Sequence, residues 1–217
     1  MKALFSAILS MATAISAVAQ SGERNIIRIT TDNTDLVLEV GPNKRVYQTY
    51  LGPRLSHESD LQNLSWSQHA GSDGSVSTRG WEAYSTSGNE DFFEPALGVT
   101  HADGNMTTYL YYVDSSQEPV PGGTYTRIIL KDNRYPVNVT LNYVAYAKEN
   151  VIKAWTEVVH QEKTSISLFQ YASAMLYFSK AEYWLTEFSS DWAKEAHMSS
   201  QQLQFGKKVI DTKLGSR

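Results

Sequence analysis

Apolar residues recur at every second position through much of the chain, in short runs broken by turn residues. Residues 137–146 show it best: Val137, Val139, Leu141, Tyr143 and Ala145 alternate with Asn138, Thr140, Asn142 and Val144, which puts the first set on one face of a strand. That face is the expected core. Runs 26–31, 36–40 and 46–51 are rich in β-branched and aromatic residues and are separated by Asp-Asn and Gly-Pro turn signals, so they predict an opening meander. Further strands are predicted at 106–113, 125–131, 151–160 and 165–177, the last broken near Ala172. The polar corners Asp132-Asn133-Arg134 and Lys148-Glu149-Asn150 join neighbouring strands as antiparallel hairpins. Between residues 57 and 94 the chain turns to Ser, Gly, Asn, Asp and His with single tryptophans, Trp66 and Trp81, a pattern of long loops around brief strands. No helix of ordinary length stands out, although 180–185 and 191–198 have the composition of single helical turns. The rhythm is that of an all-β chain, and it excludes the strand–helix alternation of a parallel α/β enzyme.

Composition narrows the chemistry. The 217 residues carry a formal net charge of -4, with no basic surplus to neutralise a phosphate backbone, so nucleic acid is not an expected partner. There is no cysteine, which removes thiol nucleophiles, disulfides and Cys-ligated metals together. Residues 1–19 begin with Lys2, continue as a short apolar run and end in Ala17-Val18-Ala19, the pattern of a cleaved signal peptide too short to anchor in a bilayer. The expected organisation is therefore a signal peptide at 1–19 and a soluble domain at 20–217, exported to a bacterial periplasm or the extracellular space. Because charges interrupt most strands, a membrane-spanning barrel is not expected.

Candidate chemistry is sparse. The histidines, His57, His69, His101, His160 and His197, are scattered, and no metal or cofactor is called for. Glu90, Asp91 and Glu94 gather beside Phe92 and Phe93, where a hydrolase could raise one carboxyl pKa, or where a loop could simply be acidic. Thirteen tyrosines, five tryptophans and seven phenylalanines supply flat apolar faces of the kind that stack on sugar rings. Trp66 and Trp81, in the polar loops, are the candidates for such a platform, whereas Trp155 and Tyr143 lie in alternating strands and are expected to pack.

Several segments, in order, carry a resemblance. EPALGVTHADGNMTTYLYYV (94–113), YPVNVTLNYVAYAKENVIKAWTEVVHQ (135–161), DWAKEAH (191–197) and FGKKVIDTKLGSR (205–217) are similar to successive parts of the N-terminal domain of family-36 glycoside hydrolases, the bacterial α-galactosidases. The resemblance implies a large, twisted antiparallel β-sandwich, or supersandwich, that precedes a catalytic (β/α)₈ barrel. It implies that the two catalytic aspartates belong to that barrel, so no catalytic residue is expected here and the chain by itself is not expected to hydrolyse galactosides. In tetrameric family members loops of this domain border a neighbour's sugar site, and GNEDFFEPAL (88–97) resembles that loop, with Asp91 at its acidic position. Phe93 stands where relatives often carry arginine, which puts bidentate recognition there in question. The implied partners are an α-galactoside or other carbohydrate, the barrel of the parent enzyme and further copies of the chain. The alternatives are a free-standing carbohydrate-binding module and a structural envelope protein. A domain made to pack on a barrel is also expected to expose apolar surface near its C-terminal segment.

Overall fold

The computed structural model describes residues 24–64, 81–88, 94–178, 182–192 and 194–211. Within them run eleven strands and one six-residue helix, and every strand ladder is antiparallel. The all-β expectation holds. The leader expected at 1–19 lies outside the described residues.

The first sheet is the opening meander β1 (Asn25–Thr30), β2 (Thr34–Val40) and β3 (Val46–Pro53), in that spatial order. The second is a four-stranded meander of β5 (Leu110–Val120), β6 (Gly123–Asp132), β7 (Val137–Tyr146) and β8 (Val151–His160). Period-2 alternation turns one face of each inward. Ile27, Ile29, Leu36, Leu38 and Val46 from the first sheet share a single buried cluster with Ile128, Leu130, Val137, Val139, Leu141, Tyr143 and Ala145 from the second. A short ladder of β4 (Leu97–Thr100) and β9 (Ser167–Tyr171) adds Leu97 and Val99, both fully buried.

The turns follow local chemistry. Pro121 and Gly122 join β5 to β6 as a two-residue loop, with Val120 facing Gly123 and Gly122 at a φ of 80°, the proline-then-glycine signature of a type II turn. The next corner is built by Asp132, 2% exposed: one carboxylate oxygen accepts the N–H groups of Arg134 and Tyr135, both at 2.7 Å, while the other accepts Tyr109 N–H at 2.6 Å. The corner after β7 holds Asn150 at a φ of 53° and is tied to the first sheet by Thr31 Oγ1, which donates to Asn150 Oδ1 at 2.5 Å, and by Asp32 N–H on Ala147 C=O.

Strand β2 is buried on both faces. Beside its apolar residues, Asp35 and Glu39 are fully covered and are neutralised by Arg28 and Arg24 at 2.6 Å. Burial pushes the Asp35 carboxyl up, but hydrogen bonds from Arg28, Thr30 and the Leu55 N–H outweigh it and hold the group below its usual range. Arg24 also donates to the carbonyls of Leu61, Gln62 and Leu64, so it closes the C-terminal end of α1 (Glu58–Asn63), a helix that the loop-like composition of 57–94 does not announce.

One other expectation is corrected. Residues 184–191 and 194–202 are not helical turns but a hairpin, β10 (Trp184–Asp191) and β11 (Lys194–Gln202). The helix-favouring Lys, Glu and Ala residues are overridden by cross-strand partners such as Phe188–Met198 and Thr186–Ser200. Trp155 packs, as a residue of an alternating strand is expected to, but outside the core. It pairs with Asn142 on the outer face of the second sheet, where its ring stacks on Tyr125 at 5.8 Å and carries the Lys153 ammonium 5.2 Å from its centroid. Tyr125 also donates its hydroxyl to Asn142 Oδ1 at 2.6 Å, and Asn142 is 1% exposed.

Candidate functional site

Of the three residues that the sequence nominates for sugar contact, Trp66 and Asp91 lie outside the described residues, and Trp81 is placed. Its ring is 37% exposed and lies parallel to that of Tyr177, with an interplanar angle of 1° and centroids 5.6 Å apart. Gln48, in the middle of β3 and 4% exposed, positions both rings. Its backbone N–H donates to Trp81 C=O at 2.7 Å, its side-chain Nε2 donates to Tyr177 C=O at 2.6 Å, and its Oε1 accepts Tyr177 N–H at 3.0 Å. A buried amide that satisfies both backbone groups of one residue fixes that residue's plane. Next to this stack Arg45 reaches Glu82 with two bonds of 2.8 and 2.5 Å, a buried pair that anchors the 81–86 segment to the start of β3. Tyr177 and Gln48 carry no sequence signal of their own, because the contact depends on two segments 129 positions apart.

One buried arrangement resembles a hydrolytic triad but cannot act as one. His101 Nδ1 lies 2.7 Å from Glu162 Oε1 and its Nε2 lies 3.0 Å from Thr108 Oγ1. An ionised carboxylate can only accept, so Nδ1 carries the hydrogen. Thr108 is fully buried and no substrate reaches its hydroxyl. Tyr135 covers the imidazole at 3.5 Å between ring centroids and donates to Asp103 at 3.0 Å. Burial pushes the Glu162 carboxyl up, yet the hydrogen bonds from His101 and the Ala102 N–H, with the charges of His101 and His160, together bring it below its usual range. The cluster is a clamp between the 101–108 loop and the chain leaving β8. Nor is there, among the described residues, any group of three His, Asp or Glu that could hold a metal ion.

The second feature is apolar and exposed. The large hydrophobic side chains that remain in solvent concentrate after residue 168: Leu168, Phe169, Tyr171, Leu176 and Phe178 on and after β9, then Trp184, Phe188 and Met198 on the hairpin and Phe205, Val209 and Ile210 beyond it. In the hairpin register Trp184, Thr186 and Phe188 face Gln202, Ser200 and Met198, so three large apolar side chains share one face. Phe178 and Tyr183 make an edge-on ring contact at 5.5 Å that joins the two stretches. Trp192 is 91% exposed, and Glu195 is exposed as well. Among the described residues this surface lies apart from the buried cluster, and contiguous exposed apolar area of this kind is uncommon on monomeric proteins.

Comparison with known proteins places this architecture. The family model described as the glycosyl hydrolase family 36 N-terminal domain matches residues 44–217. Among solved structures, the α-galactosidase from Lactobacillus brevis superposes with a TM-score of 0.70 at 22% identity, over 83% of this chain and 28% of that one. The family 36 α-galactosidase AgaA from Geobacillus stearothermophilus gives a TM-score of 0.71 at 21% identity, with the same shares of 83% and 28%. The galactosidase domain of the α-galactosidase-sucrose kinase AgaSK gives 0.70 at 20%, again over 83% and 28%. At these identities the likeness is one of fold, and the chain spans little more than a quarter of the length of each. No curated protein sequence matches it.

Proposed function

The chain belongs to the family of N-terminal domains of glycosyl hydrolase family 36, and from that premise we propose that it is the non-catalytic β-sandwich of an exported α-galactosidase-like enzyme. Its role there is to seat the catalytic (β/α)₈ barrel and to support assembly of the enzyme. The observation that carries the reading is the apolar surface between residues 168 and 210, which the sandwich leaves uncovered while its own core is complete. Each large side chain on that surface would contribute about 1.5–3 kcal/mol if fully buried against a partner. The apolar leader at 1–19 supports export.

The test is reconstitution. Sedimentation velocity of the chain mixed with the separately expressed barrel of the same enzyme should show a complex, and Trp184→Ser with Phe188→Ser should weaken it at least about tenfold. An unaltered complex would refute the assignment of the surface, and no complex would refute the docking role. Neither the chain nor its variant should release galactose alone.

A second reading is favoured by one specific observation. The Trp81–Tyr177 stack is held rigid by Gln48 and keeps Trp81 partly open, the arrangement that a carbohydrate-binding module needs. In that reading Trp81, with Trp66 and Asp91, contacts an α-galactoside, and Trp81→Ala abolishes retention on immobilised galactoside while the far-UV circular dichroism of the folded chain is kept, at a lower thermal midpoint because the stack on Tyr177 is lost.

A further inference from the structure

A polar cleft of about 660 Å³ opens between the turn after β1 and the segment that follows β3, lined by Arg28, Asp32, Asn33, Arg54, Ser56, His57 and Glu58, with Pro53 and Leu55 as its apolar patches. That volume lies in the range of small-ligand sites. Its wall is fixed from behind. Arg28 Nη2 donates to the carbonyl of Leu55 at 2.9 Å and to Asp35 at 2.6 Å, Asp35 Oδ2 accepts the Leu55 N–H at 2.8 Å, and Arg54 N–H donates to Asn33 C=O at 2.8 Å. The two sides of the cleft are thus bonded to each other through the Arg28–Asp35 ion pair, whose carboxylate is fully buried.

The side chains that face the opening are, by contrast, uncommitted. The Arg54 guanidinium makes no hydrogen bond or ion pair among the described residues, and the same holds for the side chains of Asp32 and Ser56. Donors and acceptors therefore alternate around one concavity. Arg28 is neutralised by Asp35, so in formal charges, with the His57 imidazole counted as neutral, one positive group, Arg54, stands against two negative ones, Asp32 and Glu58. An anion is disfavoured there by Coulomb repulsion. A neutral polyhydroxyl compound meets the same groups well, because each of its hydroxyls donates to a carboxylate and accepts from a guanidinium, while its C–H face rests on Pro53.

We propose that this cleft binds an uncharged saccharide, with Arg54 and Asp32 reading its hydroxyls. The choice of a galactoside over other sugars rests on the family reading above; the choice of a neutral polyol rests on the cleft alone. Preorganisation through Arg28, Asp35 and Leu55 lowers the ordering cost of binding.

The experiment is an amide chemical-shift titration of the full chain with methyl α-D-galactoside, methyl α-D-glucoside and inorganic phosphate. The expected result is a saturable shift at residues 32–33 and 53–58 with a sugar and none with phosphate. Arg54→Ala and Asp32→Asn should each weaken that binding by about tenfold or more, the loss of one charged hydrogen bond, with unchanged thermal midpoints. Saturation by the glucoside but not the galactoside would uphold the cleft and count against the galactoside assignment. Phosphate binding, no saturable shift with either sugar, or affinity indifferent to Arg54→Ala would overturn the proposal, and none of these results bears on docking of the barrel.

Discussion

Gln48 offers the sharpest test of how the aromatic stack is held. Replacing it with Leu keeps the side-chain volume close and removes both polar atoms. The structure then loses the 2.6 Å bond to Tyr177 C=O and the 3.0 Å bond from Tyr177 N–H. Each such bond contributes about 0.5–1.5 kcal/mol net, and a backbone group left dry costs more. Tyr177 is only half-buried, so water can reach part of what is freed, and the expected loss is about 2 kcal/mol. For a chain of this size that is a fall of about 4–8 °C in Tm. Thermal unfolding followed by far-UV circular dichroism measures it, while the near-UV spectrum reports the Trp81–Tyr177 pair. Native far-UV signal with a weakened near-UV band and the lower Tm is the expected outcome. A Tm within about 1 °C of the parent, or an unchanged near-UV band, would show that Gln48 does not set the geometry of the stack.

The remaining predictions concern the clamp and the core. Glu162 has a lowered folded pKa, so its contribution is fully present above the ordinary carboxylate value of about 4.3 and is lost as pH falls through the folded value. The Tm difference between the parent and Glu162→Gln should therefore be largest near neutrality and shrink below about pH 4; a difference constant across that range would contradict a clamp built on the hydrogen-bonded Glu162 carboxylate. Leu97→Ala, at a fully buried position of β4, should cost about 2–5 kcal/mol in urea unfolding, while Val159→Ala, 54% exposed on β8, should cost under about 0.5 kcal/mol. Equal effects at the two sites would place the core elsewhere.

Much of the fold is legible from alternation alone, because one face of a half-buried strand must be apolar. Residues 137–146 and 151–160 were bounded to the residue by the polar corners between them, and the break near Ala172 coincides with the end of β9 at Tyr171. Alternation fails where a strand is buried on both faces or on neither. Strand β2 hides Asp35 and Glu39 behind arginines, so its pattern carries polar residues at buried positions. The far half of β5, Asp114 to Val120, is mostly exposed and carries no periodic signal; only its pairing with β6 makes it a strand. In β11 the local preference of Lys, Glu and Ala points to a helix, and pairing across the hairpin decides against it.

The site was less legible, for a reason visible in two tryptophans. Loop composition correctly suggested that Trp81 would be open to solvent, but it could not supply Tyr177 or Gln48, which meet it only through the tertiary fold. Trp155 packs, as its place in an alternating run suggests, but alternation has two faces: its partner Asn142 belongs to the polar set of β7, so the packing is on the outer face. The face is itself legible, since the register of a tight hairpin ties each residue of β8 to one of β7. The exposed apolar surface after residue 168 follows from the same rule used in reverse. In β10 Trp184 and Phe188 alternate with Leu185 and Glu187 as an inward-facing strand would, yet the more apolar set is the one in solvent. A strand whose better hydrophobic face points outward forgoes the stabilisation that burial of that face would give. For this reason the hairpin argues for a docked partner more strongly than any scattered exposed side chain does.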